Sequence, residues 1–172
     1  MIPKKATEGS AAYDLSVTED VIIKPGRQII PLGFALEMEP GYQALVEPRS
    51  GFSSKGMEGY SILSLNLDYD FAFPIHGFPA SQLSPKSREP IRFVALDPGR
   101  FDCDVIVGKI DADYREGIGV ILNNRDKRAF MIKKGTRIAQ LTFLKVENVE
   151  WEETDTLSET EREGGFGSTG TK

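Results

Sequence analysis

Three short stretches of this chain combine residue types that suit a polyphosphate. Near the C-terminus, Arg162 precedes Gly164-Gly165-Phe166-Gly167-Ser168-Thr169-Gly170, which supplies flexible backbone N–H groups and two hydroxyls. An arginine forks onto phosphate oxygens, and glycines let the backbone approach them closely. Phe166, inside that run, could stack on a flat ring. A disordered Gly/Ser tail explains the same composition equally well. Glu47-Pro48-Arg49-Ser50-Gly51 sets a second arginine and hydroxyl after a strand-like stretch, where N–H groups of a first helical turn would assist. A plain Pro/Gly turn is the competing explanation. In Gly108-Lys109-Ile110-Asp111-Ala112-Asp113-Tyr114-Arg115, the two acids would share one face of a strand end, with Tyr114 on the other. An aspartate beside a triphosphate can orient and deprotonate a water as a general base. An Asp-rich turn joining two strands is the commoner meaning of such a run.

The elements that must position these residues follow a period of two. Phe34, Leu36 and Met38 alternate with Ala35, Glu37 and Glu39 before a turn at Pro40-Gly41. Val21 to Ile23 reads as a strand closed by Pro25-Gly26, and Ala139, Leu141 and Phe143 alternate after Lys134-Gly135. Short alternating runs between Gly/Pro turns predict an all-β sandwich or barrel of antiparallel strands. No long stretch has a helical period, so at most one short helix is expected, after Ser50. From Leu63 to Phe73 every second residue is apolar, which predicts an amphipathic strand partnered by Ile91, Phe93 and Ala95. The loop from His76 to about Pro90 lies between them, with His76 read as a solvated histidine. Glu152 to Glu163 is acidic and poor in apolar residues, so together with the glycine run it predicts a mobile arm. Trp151 is expected to anchor the base of that arm on the body.

Composition bounds the rest. A chain of 172 residues fits one domain with a real core, and 40% hydrophobic with 27% charged residues is ordinary for a globular protein. The net charge of -5 excludes a broad basic field, so direct nucleic-acid binding is not expected and any polyanion must be gripped locally. The single cysteine, Cys103, excludes an internal disulfide, suits a reducing compartment and is read as buried filler. Met1-Ile2-Pro3-Lys4-Lys5 leads into no apolar run, and no segment is long and apolar enough to span a bilayer. The expectation is a cytoplasmic or otherwise intracellular protein without membrane contact.

Together and in order, the motifs resemble those of the trimeric dUTPases (deoxyuridine triphosphate nucleotidohydrolases). Gly9-Ser10-Ala11-Ala12-Tyr13-Asp14-Leu15 resembles the first motif and Pro48-Arg49-Ser50-Gly51 the second. Ile110 to Arg115 resembles the third, Gly135-Thr136-Arg137-Ile138-Ala139-Gln140-Leu141 the fourth, and Gly164 through Gly170 the fifth. The resemblance implies an all-β, jelly-roll-like β-clip domain over 1–150, then an acidic linker and active-site arm over 151–172. It also implies a homotrimer whose active sites lie between subunits. The reaction would turn dUTP and water into dUMP and pyrophosphate, with Mg2+ held mainly by the triphosphate and water. Asp111 would be the catalytic base, and Tyr114 would pack beneath the deoxyribose. The strand pair from about Asp104 to Asp111, including Val105 and Gly108, would present its backbone to uracil. Arg49, Ser50, Gly51 and Gln140 would contact phosphate, with Arg162 at the far end of the triphosphate. Phe166 would close over the base, with Gly167 and Ser168 ordering alongside, and Asp14 would reach the metal through water.

This chain departs from the family pattern at several points. Thr136 stands where the fourth motif usually has Asp, Glu163 shifts the arm's register after Arg162, and Glu116 displaces a glycine to Gly117. None removes a group the chemistry needs. The larger departure is extra material from about Gly56 to Arg100, read as an inserted β-hairpin. It either packs on its own trimer or offers a docking surface to another protein, and it resembles accessory segments of phage-encoded members. Two rival functions stay open: a dCTP deaminase of the same fold, and a nucleotide-gated interaction module.

Overall fold

The computed structural model describes residues 2–65 and 92–160, with the side chains of 63–65 and 92–96 excepted. The strands are β1 (Tyr13–Ser16), β2 (Val21–Ile23), β3 (Gly26–Pro31), β4 (Tyr42–Glu47), β5 (Met57–Leu65), β6 (Arg92–Phe101), β7 (Cys103–Ile106), β8 (Gly108–Ile110), β9 (Gly119–Asn124), β10 (Phe130–Ile132) and β11 (Arg137–Lys145). Among the described residues there is one short helix, α1 (Ser50–Lys55), which starts where it was expected. All strand pairings among those residues are antiparallel. They form three sheets, ordered β1-β11-β4-β8, β2-β10-β5-β6 and β3-β9-β7. The all-β reading from the period of two is therefore the fold observed.

Alternation explains how these sheets close on one core. In β9, Val120, Leu122 and Asn124 turn inward, while the intervening residues stay half-buried. Leu15, Ile23, Val46, Met57, Phe130 and Ile138 meet them in a single cluster. Asn124, though 2% exposed, is satisfied: its amide donates to the carbonyls of Ile23 and Arg128, and its oxygen accepts from Asp126 N–H. Gly41 and Gly135 hold φ of 83° and 85°, the left-handed region glycine tolerates, at the two turns expected on either side of the central strands.

Three local expectations need correction. Phe34, Leu36 and Met38 do pack on the core, but residues 34–39 belong to no strand. Apolar alternation sets which face is buried, yet a strand also needs a neighbouring backbone, and here the ladder is limited to the Ile118 N–H donating to the Phe34 carbonyl. Trp151 does not anchor the arm on this chain's body, because it is 92% exposed. Asp111 and Asp113 do not lie on a strand, since β8 ends at Ile110.

The hairpin expected around Leu63 is present where described. β5 pairs with β6 from Met57↔Phe101 to Leu65↔Arg92, placing Ser64 opposite Phe93 and Ile62 opposite Ala95. Its root belongs to the body: Tyr60 and Ser61 also pair with Met131 and Phe130 of β10. Phe101 stacks on Phe130 with centroids 4.1 Å apart. Leu67 to Phe73, the His76 loop, Ile91 and the arm carrying Arg162, Phe166, Gly167 and Ser168 lie outside the described residues. Among the described residues, no helix is long and apolar enough to cross a membrane.

Candidate active site

The site begins with a row of side chains across one sheet. Strand β11 lies between β1 and β4, and its Gln140 stands opposite Asp14 on one side and Glu47 on the other. Residues opposite one another in register share a sheet face. Asp14, Gln140 and Glu47 therefore leave the core together, while Leu15, Ala139, Leu141 and Val46 fill it. All three line a cleft of about 940 Å3, joined by Ser50 and Gly51 from the start of α1.

Arginines close over this row. Arg49, the residue before α1, has extended backbone (φ -84°, ψ 141°), and its Nε lies 2.8 Å from Asp14 Oδ1. Arg137 Nη1 donates to the other oxygen, Asp14 Oδ2, at 3.1 Å. Glu47 is held in turn by the Thr142 hydroxyl at 2.7 Å. The cleft is lined by basic Arg49, Lys55, Arg100 and Arg137 against acidic Asp14, Glu47 and Glu58. Locally the sign is positive although the chain as a whole is acidic, which is the local grip a polyanion requires here.

The expected general base lies elsewhere. Asp111 follows β8, whose register sets Ile110 opposite Ala44 and Gly108 opposite Val46. It thus emerges near Gln43, at the opposite end of β4 from Arg49. At about 3.3 Å per extended residue, the backbone between Gln43 and Arg49 spans roughly 20 Å. Neither Asp111 nor Tyr114 lines the arginine cleft. The acids occupy a turn in which Tyr114 N–H donates to the Asp111 carbonyl at 3.2 Å. Tyr114 itself is 40% exposed, and its hydroxyl reaches the Gly117 carbonyl at 3.3 Å. Arg115 braces the turn: Nη1 donates to the Ala112 carbonyl at 2.6 Å, and Nη2 to Glu37 Oε1 at 3.2 Å. The Val105 side chain is buried in the core, so this residue has only backbone to offer a ligand.

On one chain the expected site residues therefore fall into two separate groups. Arg49, Ser50, Gly51, Gln140 and Asp14 share the cleft; Asp111, Tyr114 and Gly108 belong to the other end of the same sheet. Sequence reasoning passed over Arg137, Arg115 and Thr142, although the first two stand inside recognised motifs. Their partners, Asp14 and Glu37, are distant in the sequence and could not be read from it. For a metal, the donor set is poor on this chain. Among the described residues no three His, Cys, Asp or Glu side chains converge on a common point. Both oxygens of Asp14, expected to face the ion through water, are engaged by guanidinium groups. The described residues form no metal cage; they fit an ion carried by a polyphosphate and water.

Fold and cleft define an antiparallel β protein with guanidinium and carboxylate groups paired over one face of a sheet. The sequence model of the dUTPase family matches residues 1–70 and 102–170. The chain is 37% identical over 173 residues to the deoxyuridine 5'-triphosphate nucleotidohydrolase of Rickettsia felis, covering 98% of this chain and 88% of that protein. It is also 37% identical over 172 residues to the enzyme of the same name from Nautilia profundicola, covering 99% and 91%. In structure it is similar to the dUTPase of Staphylococcus bacteriophage 80alpha bound to dUpNHpp, with a TM-score of 0.67, 22% identity and coverage of 99% and 92%. A mutant dUTPase from phage phi11 of S. aureus, which coordinates a structural Mg(II) ion, gives a TM-score of 0.59, 17% identity and coverage of 91% and 90%. The chain belongs to the dUTPase family of dUTP diphosphatases.

Proposed function

We propose that this chain hydrolyses dUTP to dUMP and pyrophosphate as a homotrimer, with each site assembled from two half-sites, one group from each of two copies. The observation that carries this reading is the separation of Asp111 from the Arg49 cleft within one chain. A water held by the Asp111 carboxylate would lose its proton there and attack the α-phosphorus, releasing pyrophosphate. Such a base typically contributes about 10² to 10⁴ in rate. Arg49, the Ser50 hydroxyl and Gln140 would hold the leaving phosphates, with Asp14 fixing the angle of two guanidinium groups. The exposed ring of Tyr114 would lie beneath the deoxyribose, where a 2′-hydroxyl would clash. Arg162 and Phe166 of the arm would complete the site as the tail orders over the nucleotide. Mg2+ carried on the triphosphate would neutralise its charge, and no step requires a protein carboxylate to ligate it.

The test is pyrophosphate release with Mg2+ from dUTP, dCTP, dTTP and UTP, compared with Asp111→Asn. Turnover of dUTP alone, lost in the variant by about 10² or more, supports the assignment. Formation of a uracil product from dCTP would favour the deaminase of the same fold. Binding of dUTP without turnover would leave the cleft as a sensor.

A further inference from the structure

The root of the hairpin places one more arginine on the cleft. Arg100 lies on β6, inside the stretch 71–101 that the family's sequence model does not match. Its backbone is held at the root of the hairpin, where β5 also pairs with β10 of the body. Met57↔Phe101, Glu58↔Arg100 and Gly59↔Gly99 are in register, and Phe101 is buried and stacked on Phe130. Gly56 passes so close to the Phe101 carbonyl that a Cβ there would stand 2.8 Å from it. The chain on both sides of Arg100 is thus tied down, and its side chain lines the same cleft as Arg49 and Gln140.

The partners of Arg100 are weak ones. One terminal nitrogen pairs with Glu58 Oε1, and the other lies 3.4 Å from the Gly56 carbonyl. Both side chains of the ion pair are well exposed, at 46% for Arg100 and 72% for Glu58. An exposed pair of this kind is worth little and yields readily to a better anion. A guanidinium has five N–H donors in a fixed fork, a geometry that matches phosphate better than one carboxylate oxygen.

We propose that Arg100 is an additional substrate-binding residue, which leaves Glu58 to grip the phosphate chain in the cleft, with Glu58 as its internal competitor. This rests on the reading of the Arg49 cleft as the phosphate site. It joins the root of the hairpin directly to substrate affinity.

The experiment measures binding of inorganic pyrophosphate and of the non-hydrolysable analogue dUpNHpp by calorimetry, together with KM and kcat for dUTP. The proteins are the full-length chain, Arg100→Ala, Arg100→Lys, Glu58→Gln and Arg49→Ala, each checked for an unchanged melting profile. Arg100→Ala should weaken both ligands about tenfold and raise KM with kcat little changed, while Arg100→Lys recovers part of the loss. Glu58→Gln should tighten binding about two- to threefold, since it removes the competitor. Opposite shifts from the two ends of one ion pair would not come from structural damage. If Arg49→Ala loses binding while Arg100→Ala and Glu58→Gln stay within twofold of the unaltered chain, the assignment of Arg100 is overturned and the cleft stands. If Arg49→Ala also binds normally, both readings fall.

Discussion

Arg49 Nε lies 2.8 Å from Asp14 Oδ1, and that contact bridges β1 to the end of β4 across the intervening strand β11. The same carboxylate receives Arg137 through its second oxygen, so one acid sets the spacing of two guanidinium groups. The Arg49 pair, with side chains 28% and 18% exposed, is spared part of the screening that surface ion pairs suffer, whereas Arg137 is 52% exposed.

Asp14→Ala therefore frees both arginines without opening the core. We expect KM for dUTP to rise roughly tenfold, with the fold retained, because position is lost while positive charge is kept. Steady-state kinetics with a thermal melt checks this. A lower KM would mean that Asp14 acts mainly by opposing the substrate's charge.

Gly59→Ala should destabilise the protein by about 1–3 kcal/mol, as overpacking of a tight core does. An added Cβ would stand 2.7 Å from Phe130 Cδ2 and 2.9 Å from the Met131 carbonyl, and the backbone oxygen has nowhere to retreat. Urea denaturation should show a lower midpoint with the slope unchanged. An unchanged midpoint would mean that the β5–β10 seam relaxes freely.

Cys103 supplies a pH-dependent test. Burial, followed by the charges of Asp104 and Asp102, pushes its thiol up to about 12. An unfolded thiol ionises near the usual value of about 8.5, so between that pH and about 12 only the unfolded state loses its proton. Stability from this group is full below about pH 8.5 and falls as pH rises, by at most about 1.4 kcal/mol per pH unit. Cys103→Ala should flatten the stability–pH curve in that window, and the native thiol should resist alkylation at pH 8. Rapid alkylation without unfolding would contradict the burial.

Truncation after Glu161 removes Arg162 and the glycine run and leaves every core residue among the described ones in place. The shortened chain should melt like the intact one, bind inorganic pyrophosphate more weakly and turn over dUTP at a small fraction of the rate. Activity near that of the intact chain would remove Arg162 and Phe166 from the site.

Which of these features the sequence announced depended on distance along the chain. The α1 turn after Ser50 and the β11 turn at Gly135 are local, set by small residues and a left-handed glycine, and both could be read directly. The alternation at Phe34, Leu36 and Met38 gave the buried face correctly but could not say whether a partner backbone was present. The clamp on Asp14 joins residues 123 positions apart in Arg137, so neither end advertises the other. Arg100 enters the cleft only through the Glu58↔Arg100 register, which no motif encodes. For Asp111 the placement was not legible: a strand that stops at Ile110 replaces the alternating faces with a turn.

The proposed division of the site between the two ends of β4 has a consequence at the level of inheritance. A chain lacking Asp111 and another lacking Arg49 would each be inert alone, yet each keeps the half-site that the other has lost. Mixed in one cell and assembled at random, they would form some composite sites with both halves intact, roughly a quarter if each site draws one half from each of two copies. Two loss-of-function alleles would then complement each other within a single gene, and one defective copy would dilute the output of its intact neighbours.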